Sequence, residues 1–177
     1  MASTALRGVY AAALTPFTPD FEPDIERWLG HCRWLLDYGC DGVAPLGTTS
    51  EANSISVEKR LEMIAAFGAS DLPKGTAIFG TGACSLSEAV KLTRAAIEAD
   101  AGGQLMLPPF YYKPVTEEGL VAWYEALDRA LGATPIEIYF YNFPQMTGLK
   151  IPADVVERLA KTHPKRFTGI KDSSGDL

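Results

Sequence analysis

Apolar segments rich in β-formers alternate with amphipathic helical segments along the whole chain, with a repeat of roughly thirty residues. Six segments have the pattern of strands: 8–14, 42–45, 76–80, 103–107, 136–141 and 166–171. Between them, apolar residues recur at helical spacing, as in Trp28, Cys32, Leu35 and Leu36, and in Val57, Leu61, Ile64 and Ala65. This alternation predicts parallel βαβ units with right-handed crossovers.

Two architectures fit the alternation, an open doubly wound sheet and an α/β barrel of the (β/α)8 TIM type. An open sheet favours a glycine-rich phosphate loop after its first strand, but residues 14–19 contain no glycine. Polar and unusual residues instead follow nearly every strand, as the carboxyl-end rim of a barrel requires. We therefore predict a TIM barrel that occupies residues 1–177 as a single domain.

The length of the chain conflicts with a complete barrel. A TIM barrel takes about 250 residues, whereas this chain has 177 and ends after its sixth strand pattern. Strands 1–6 are predicted, so strands 7 and 8 and barrel helices 6–8 are missing. Because a six-stranded arc would leave two long apolar edges open to aggregation, we expect a fragment of a longer chain, or a chain that another polypeptide completes.

The composition limits the classes of partner. The net charge is −6 and the pI about 4.9, with no basic run, which disfavours a nucleic-acid or membrane role. No apolar run approaches the length of a membrane span, and the N-terminus lacks the apolar core of a signal peptide. Cys32, Cys40 and Cys84 fit neither a disulfide framework nor a metal site, and His31 and His163 stand alone. We predict a cytoplasmic protein with reduced thiols and no bound metal.

One lysine stands where lysines are uncommon. The segment Phe167-Thr-Gly-Ile-Lys171 has the pattern of a buried strand, and it delivers Lys171 to the strand's end. Burying an ammonium is costly, and the group tends to lose its proton instead. A neutral lysine is a nucleophile toward ketones and aldehydes, which indicates Schiff-base chemistry. The alternative is that Lys171 simply extends into solvent.

Three other loops at strand ends carry unusual polar residues. After the second strand, Gly47-Thr48-Thr49-Ser50-Glu51 offers two hydroxyls and accessible backbone N–H groups, which suit a carboxylate. The same residues also make an ordinary turn and helix cap. The fourth strand is followed by residues 110–114, which include Tyr111, and the fifth ends in residues 141–148, beginning with Tyr141.

Together these four motifs resemble the dihydrodipicolinate synthase/N-acetylneuraminate lyase family of class I, Schiff-base-forming aldolases. Their order and spacing agree with the family over the whole chain, from Leu14 to Asp176. The resemblance implies a (β/α)8 barrel that acts on pyruvate or another 2-oxo acid, with neither metal nor organic cofactor. It also implies a homodimer or homotetramer.

The resemblance also implies roles for individual residues. Lys171 matches the Schiff-base lysine, and Tyr141 matches the tyrosine that shuttles protons at the reacting carbon. Thr48 matches the threonine of the proton relay. Thr49 matches the threonine that holds the pyruvate carboxylate. Tyr111 matches a tyrosine that reaches into the neighbouring subunit's site.

The resemblance further implies that Gly47 lets the backbone approach the bound carboxylate. Each residue also has a purely structural interpretation. Tyr141 would then close the barrel mouth, Thr48 and Thr49 would cap the second helix, and Tyr111 would pack in an interface.

Two positions depart from the family pattern. Dihydrodipicolinate synthases carry an arginine before the Thr-Gly of the Tyr-Asn-x-Pro loop, where it binds the carboxylate of aspartate semialdehyde as a bidentate pair. Here Met146 precedes Thr147 and Gly148, and a thioether cannot replace that pair. Ser50 stands where the motif has glycine, which affects the local loop geometry.

Three hypotheses follow for the activity. The first is an aldolase or lyase that acts on a 2-keto-3-deoxy sugar acid or a related aldehyde. The second is a 4-hydroxy-tetrahydrodipicolinate synthase that condenses pyruvate with aspartate semialdehyde and replaces the missing arginine from elsewhere. The third, from another class, is a catalytically silent barrel that binds a 2-oxo acid.

Overall fold

A computed structural model of the chain describes residues 6–176, and within them strands and helices alternate as predicted. The strands are β1 Tyr10–Ala11, β2 Gly42–Val43, β3 Ile78–Gly80, β4 Gly103–Met106, β5 Ile138–Asn142 and β6 Phe167–Asp172. The helices are α1 Ile25–Asp37, α2 Val57–Ala69, α3 Leu86–Glu98, α4 Glu117–Leu131, α5 Pro144–Thr147 and α6 Ala153–Thr162. A 3₁₀ turn covers Ala52–Ser54.

Every strand lies within one residue of a segment that the sequence predicted. The short helix α5, inside the loop after β5, was not predicted. The predicted absence of a signal peptide concerns an N-terminus whose residues 1–5 lie outside the described residues.

The described residues divide into two compact units. The first contains the chain up to Gly80 together with Ala95–Gly103, and the second contains Thr81–Arg94 and the chain from Gln104 onward.

In the first unit, β1 and β2 are parallel, and Val43 forms a further parallel bridge to Ala77 just before β3. Aromatic residues from α1, α2 and β3 build its core. The Trp28 and Phe67 ring centroids are 6.1 Å apart, and Phe67 meets Phe79 edge-on at 5.4 Å. All three side chains are almost completely buried.

Helix α2 buries a different face from the predicted one. The predicted stripe contained Val57, Leu61, Ile64 and Ala65, but the side chains that are buried are those of Arg60, Met63, Ile64 and Phe67. The prediction was wrong because several neighbouring stripes of this helix are apolar, and periodicity alone does not choose among them. Arg60 is tolerated inside because its Nη2 donates to the carbonyl oxygen of Gly80 at 3.0 Å.

In the second unit, β4, β5 and β6 are parallel neighbours in that order. Tyr124 of α4 lies in the centre of the aromatic core. Its ring contacts Phe140 at 5.0 Å and Phe167 at 5.7 Å, both edge-on. Its hydroxyl donates to the carbonyl oxygen of Met106 at 3.3 Å, and burial raises the pKa of this phenol. Pairs of this geometry add to the free energy gained from burying apolar area.

Arg166 fastens the end of α4 and the loop after it to the start of β6. Its guanidinium pairs with Asp128 at 2.7 Å and donates to the backbone carbonyls of Gly132, Thr134 and Ile136 at 2.8 to 3.1 Å. The side chain is almost completely buried. The planar, five-donor guanidinium is the one side chain able to satisfy so many acceptors at once.

Strand β6 is less buried than its sequence predicted. Phe167 is buried, but Thr168, Ile170 and Asp172 are exposed and Lys171 is half-buried. Among residues 6–176, β6 pairs with β5 alone, so its other edge has no covering strand there. None of the helices in this described range is both long and apolar enough to cross a bilayer.

Candidate active site

The structure brings Lys171 and Tyr141 together. They are partners in the parallel register of β6 and β5, which places both side chains on one face of the sheet. The lysine Nζ lies 4.2 Å from the centroid of the tyrosine ring. Tyr141 is only 3% exposed, whereas Lys171 is half-buried. A fixed phenol thus lies beside an amine that solvent and a small ligand can still reach.

The next register pair, Asn142 and Asp172, locks the carboxyl ends of the same two strands. The Asn142 amide donates to Asp172 at 3.2 Å, and its Oδ1 accepts from the backbone N–H of Ile151 at 3.0 Å. Ser173 N–H donates to the Asn142 carbonyl at 2.8 Å. The sequence did not predict this pair; its only signal there was the asparagine that directly follows Tyr141.

Asp172 also organises the turn that follows Lys171. Its carboxylate accepts the backbone N–H of Ser174 at 2.7 Å. Hydrogen bonds from Ser174, followed by the bond from Asn142, hold the pKa of the Asp172 carboxyl below its usual range. The carboxylate therefore stays ionised and keeps the turn closed.

The loop after β5 contains α5 and carries Met146 on its surface. Pro144 begins this short helix, and Gly148 ends it in a left-handed conformation, at φ +66°. Met146 is 63% exposed. The Gln145 side-chain amide donates to the carbonyl oxygen of Ser174, which connects α5 to the turn after Lys171.

Lys113 forms a second link, which the sequence did not predict. Its Nζ donates to the carbonyl oxygens of Phe110 at 2.7 Å and of Thr147 at 2.8 Å. It therefore ties the loop after β4 to the carboxyl end of α5, where a cation is favoured. Tyr111, in that same loop, is 71% exposed, and its ring meets that of Tyr112 edge-on at 5.1 Å.

Gly47, Thr48 and Thr49 lie together in the first unit, in the bend and turn that follow β2. Thr48 is half-buried and Thr49 is exposed. A β-carbon added at Gly47 would meet no atom within 4 Å, so the backbone there is open to approach. The segment turns through bonds from Glu51 N–H to the Thr48 carbonyl and from Ala52 N–H to the Gly47 carbonyl, at 3.0 and 3.2 Å.

Residues 6–176 contain no group of three or more His, Cys, Asp or Glu side chains placed to hold a metal ion. The carboxyl ends of β5 and β6 carry the amine of Lys171, the phenol of Tyr141 and the carboxylate of Asp172.

Comparison with known proteins places the chain in a family. The sequence model of the dihydrodipicolinate synthetase family matches residues 5–177. The chain belongs to this family. Among curated relatives, an uncharacterized DapA-like lyase of Chloroflexus aurantiacus is 41% identical over 174 residues, which cover 96% of this chain and 56% of the relative.

Solved structures support the same assignment. Dihydrodipicolinate synthase from Agrobacterium tumefaciens superposes with a TM-score of 0.92 at 34% identity, over 96% of this chain and 59% of that one. A 2-keto-3-deoxygluconate aldolase variant from Sulfolobus solfataricus superposes with a TM-score of 0.82 at 29% identity, over 96% and 54%. The predicted fold class, a (β/α)8 barrel of which six strands are present, is confirmed.

The chain spans just over half the length of these proteins, as the 54% to 59% coverage shows.

Proposed function

We propose that the protein is a class I aldolase or lyase that acts on pyruvate or another 2-oxo acid through a Schiff base on Lys171. The observation that supports this most directly is the lysine Nζ lying 4.2 Å from the centre of the Tyr141 ring, on paired strands. The proteins of known structure that resemble this chain include a dihydrodipicolinate synthase and a 2-keto-3-deoxygluconate aldolase variant.

The proposed reaction begins when the neutral Lys171 amine attacks the C2 ketone of pyruvate. Loss of one water molecule leaves a protonated imine, whose positive charge withdraws electrons from C3. C3 then gives up a proton and becomes an enamine nucleophile, which adds to the carbonyl carbon of an aldehyde. Hydrolysis of the resulting imine returns the amine and releases the product; the reverse sequence cleaves a 2-oxo acid.

Tyr141 moves protons during these steps in the proposal. A phenol of ordinary pKa, about 10, is a poor base in water. Beside a cationic imine, it can release and recover a proton through a relay that Thr48 and the partner subunit's Tyr111 complete. General acid–base catalysis of this kind is typically worth ~10²–10⁴-fold in rate.

Thr49 and Gly47 bind the carboxylate of the 2-oxo acid in this proposal. The exposed Thr49 and the open backbone beside Gly47 support it, since a hydroxyl and unobstructed N–H groups are suitable donors for a carboxylate.

Tyr111 acts in the site of a neighbouring subunit, so the active form is a homodimer or homotetramer. Its 71% exposure in the single chain supports this assignment. We also place the protein in the cytoplasm, supported by the three free cysteines of the described residues.

The second substrate is, in this proposal, an aldehyde without a carboxylate, as in the aldol partners of 2-keto-3-deoxy sugar acids. The support is Met146, which is 63% exposed on α5 where a synthase would present arginine. A thioether offers no donor to a carboxylate, whereas it tolerates a polyhydroxylated chain nearby.

A second candidate, 4-hydroxy-tetrahydrodipicolinate synthase, is favoured by one specific observation. The Lys113 ammonium lies 2.8 Å from the Thr147 carbonyl, next to Met146 in the chain. It places a positive charge at this end of α5 and is therefore the group that would replace the missing guanidinium. Supplying pyruvate with aspartate semialdehyde or with glyceraldehyde, and measuring turnover of each, distinguishes the two candidates.

Borohydride trapping tests the proposed function. The protein is incubated with pyruvate and sodium borohydride, and peptides are examined by mass spectrometry for a reduced adduct on Lys171. Lys171→Ala should abolish the adduct. Lys150→Ala, a change at an exposed lysine paired with Asp176 at 3.0 Å, should leave it unchanged.

Trapping without turnover of any aldehyde would favour the silent 2-oxo-acid-binding barrel. Absence of an adduct in the wild-type protein, or an equal yield from Lys171→Ala, would refute the Schiff-base proposal.

A further inference from the structure

Ser50 makes a buried connection from the threonine loop to the segment after β1. It directly follows Thr49, and its side chain is completely buried. Its Oγ donates to the carbonyl oxygen of Ala13 at 2.5 Å. In return, the hydroxyl of Thr15, 7% exposed, donates to the carbonyl oxygen of Ser50 at 2.8 Å. Two hydrogen bonds in opposite directions thus join the two loops.

The backbone of the threonine loop needs such support. Leu46 at φ +57° and Glu51 at φ +56° bracket residues 47–50, and both are non-glycine residues in the left-handed region. Residues other than glycine, asparagine and aspartate rarely adopt this backbone conformation. Where they do, surrounding contacts hold the backbone in place. Leu46 is itself buried, so its side chain is fixed in the core.

The family motif has glycine at position 50, and a glycine could not make the bond to Ala13. Its greater backbone freedom would also leave the loop less restrained. The serine therefore adds to this chain a restraint that lies one residue from Thr49 and two from Thr48.

We propose that Ser50 is a positioning residue which, together with Thr15, holds Thr48 and Thr49 in the geometry that binds the substrate carboxylate. This inference rests on the proposed function, in which Thr49 binds that carboxylate. Ser50 itself touches no substrate: it acts through the backbone that it fixes. Its loss should therefore weaken pyruvate binding more than it slows the chemistry.

The experiment measures how the rate of borohydride trapping on Lys171 depends on pyruvate concentration. Ser50→Ala removes one bond, Ser50→Gly restores the family residue, and Thr15→Val removes the other bond at nearly constant volume. We expect each to raise the half-saturating pyruvate concentration about five- to tenfold, the factor that corresponds to one ordinary hydrogen bond. The maximal trapping rate should stay within about twofold of wild type, as expected when binding alone is affected.

Two further variants complete the experiment. Thr15→Ser keeps the hydroxyl and should restore the wild-type half-saturation. Ser54→Ala changes an exposed serine four residues along the chain and should alter nothing. If Ser50→Ala fails to fold, the comparison of Thr15→Val with Thr15→Ser tests the positioning role in its place. Ser50→Gly is a further substitute, because the family motif has glycine at this position.

The outcomes separate this inference from the proposed function. Half-saturation unchanged in Ser50→Ala and Thr15→Val, with normal trapping by wild type, overturns the positioning role and leaves the Schiff-base proposal intact. A lowered melting temperature with unchanged half-saturation also overturns it, because the bonds would then serve stability alone. A wild-type protein that forms no adduct refutes the proposed function, and the positioning role with it.

Discussion

Lys171 lies over the face of the Tyr141 ring, with Nζ 4.2 Å from the centroid. The ring packs against the lysine side chain and restrains its amino group in this position. The β5–β6 register that creates the contact is continued by Asn142 and Asp172, which are joined by a side-chain hydrogen bond of 3.2 Å. In the proposed function, Tyr141 both positions Lys171 and transfers protons, and these two roles can be tested separately.

Tyr141→Phe separates them experimentally. The variant keeps the ring face but lacks the hydroxyl, so Lys171 should still be trapped by borohydride with pyruvate. Turnover with an aldehyde should fall by ~10²–10⁴-fold, the range for losing a general acid–base group. Tyr141→Leu removes both functions and should also reduce trapping. Wild-type turnover in the phenylalanine variant would contradict a role for the hydroxyl.

Met146→Arg should change the choice of aldehyde. An arginine on the exposed face of α5 offers two parallel donors to a carboxylate, and each charge-assisted bond is worth about 1.5–3 kcal/mol. We expect kcat/KM for aspartate semialdehyde to rise at least about tenfold, whereas that for glyceraldehyde should not increase. Met146→Leu serves as the control, because it changes the side chain at this position without adding a charge. Equal rates for arginine and leucine variants would show that this position does not select the acceptor.

Arg166→Met should destabilise the second unit. The change leaves three backbone carbonyls and Asp128 without their buried donor. Loss of one partner of a buried ion pair costs about 3–5 kcal/mol, and the lower end applies because Asp128 is 25% exposed. Urea unfolding measures the loss. Arg158→Met, at an exposed arginine of α6, should have little effect, and an equal loss from both variants would contradict the assignment.

Gln104→Met should stabilise the protein. Gln104 is completely buried on β4, and neither its amide nitrogen nor its amide oxygen has a hydrogen-bond partner in the described part of the chain. An unpaired buried polar group costs about 1–3 kcal/mol, and an apolar side chain of similar shape avoids that cost. Thermal unfolding should give a higher melting temperature. Gln145→Met, on the exposed α5, should give no gain, and destabilisation by Gln104→Met would refute the prediction.

Asp172→Asn should remove a pH-dependent contribution to stability. Because the folded-state pKa of Asp172 is lowered, chiefly by hydrogen bonds from Ser174, its contribution is complete above the unfolded-state value of about 3.9. It is lost as the pH falls through the lower folded-state value. The variant should therefore melt below wild type at neutral pH, and the difference should shrink as the pH falls below about 3.9. Asp20→Asn, at an exposed aspartate, is the control, and a difference that does not vary with pH would contradict this prediction.

Local patterns were sufficient for the order and type of the elements. The period of strand and helix patterns, together with the polar residues after each strand, indicated a barrel, and the motifs around Thr48, Tyr111, Tyr141 and Lys171 indicated the family. These features can be predicted from the sequence because each depends on residues close together in the chain. Helix α5 was missed because four residues inside a loop leave no periodic signal.

The sequence by itself determined which strands follow which helices, and that parallel strands carry Tyr141 and Lys171 at corresponding ends. Only the tertiary structure decided that the amine meets the ring face, that Asn142 bonds Asp172, and that α2 buries Met63 and Phe67. It also decided that β6 is half-exposed and that Ser50 bonds Ala13. Strand register and helix rotation set all of these contacts, and both result from packing between segments far apart in the chain, which local periodicity does not encode.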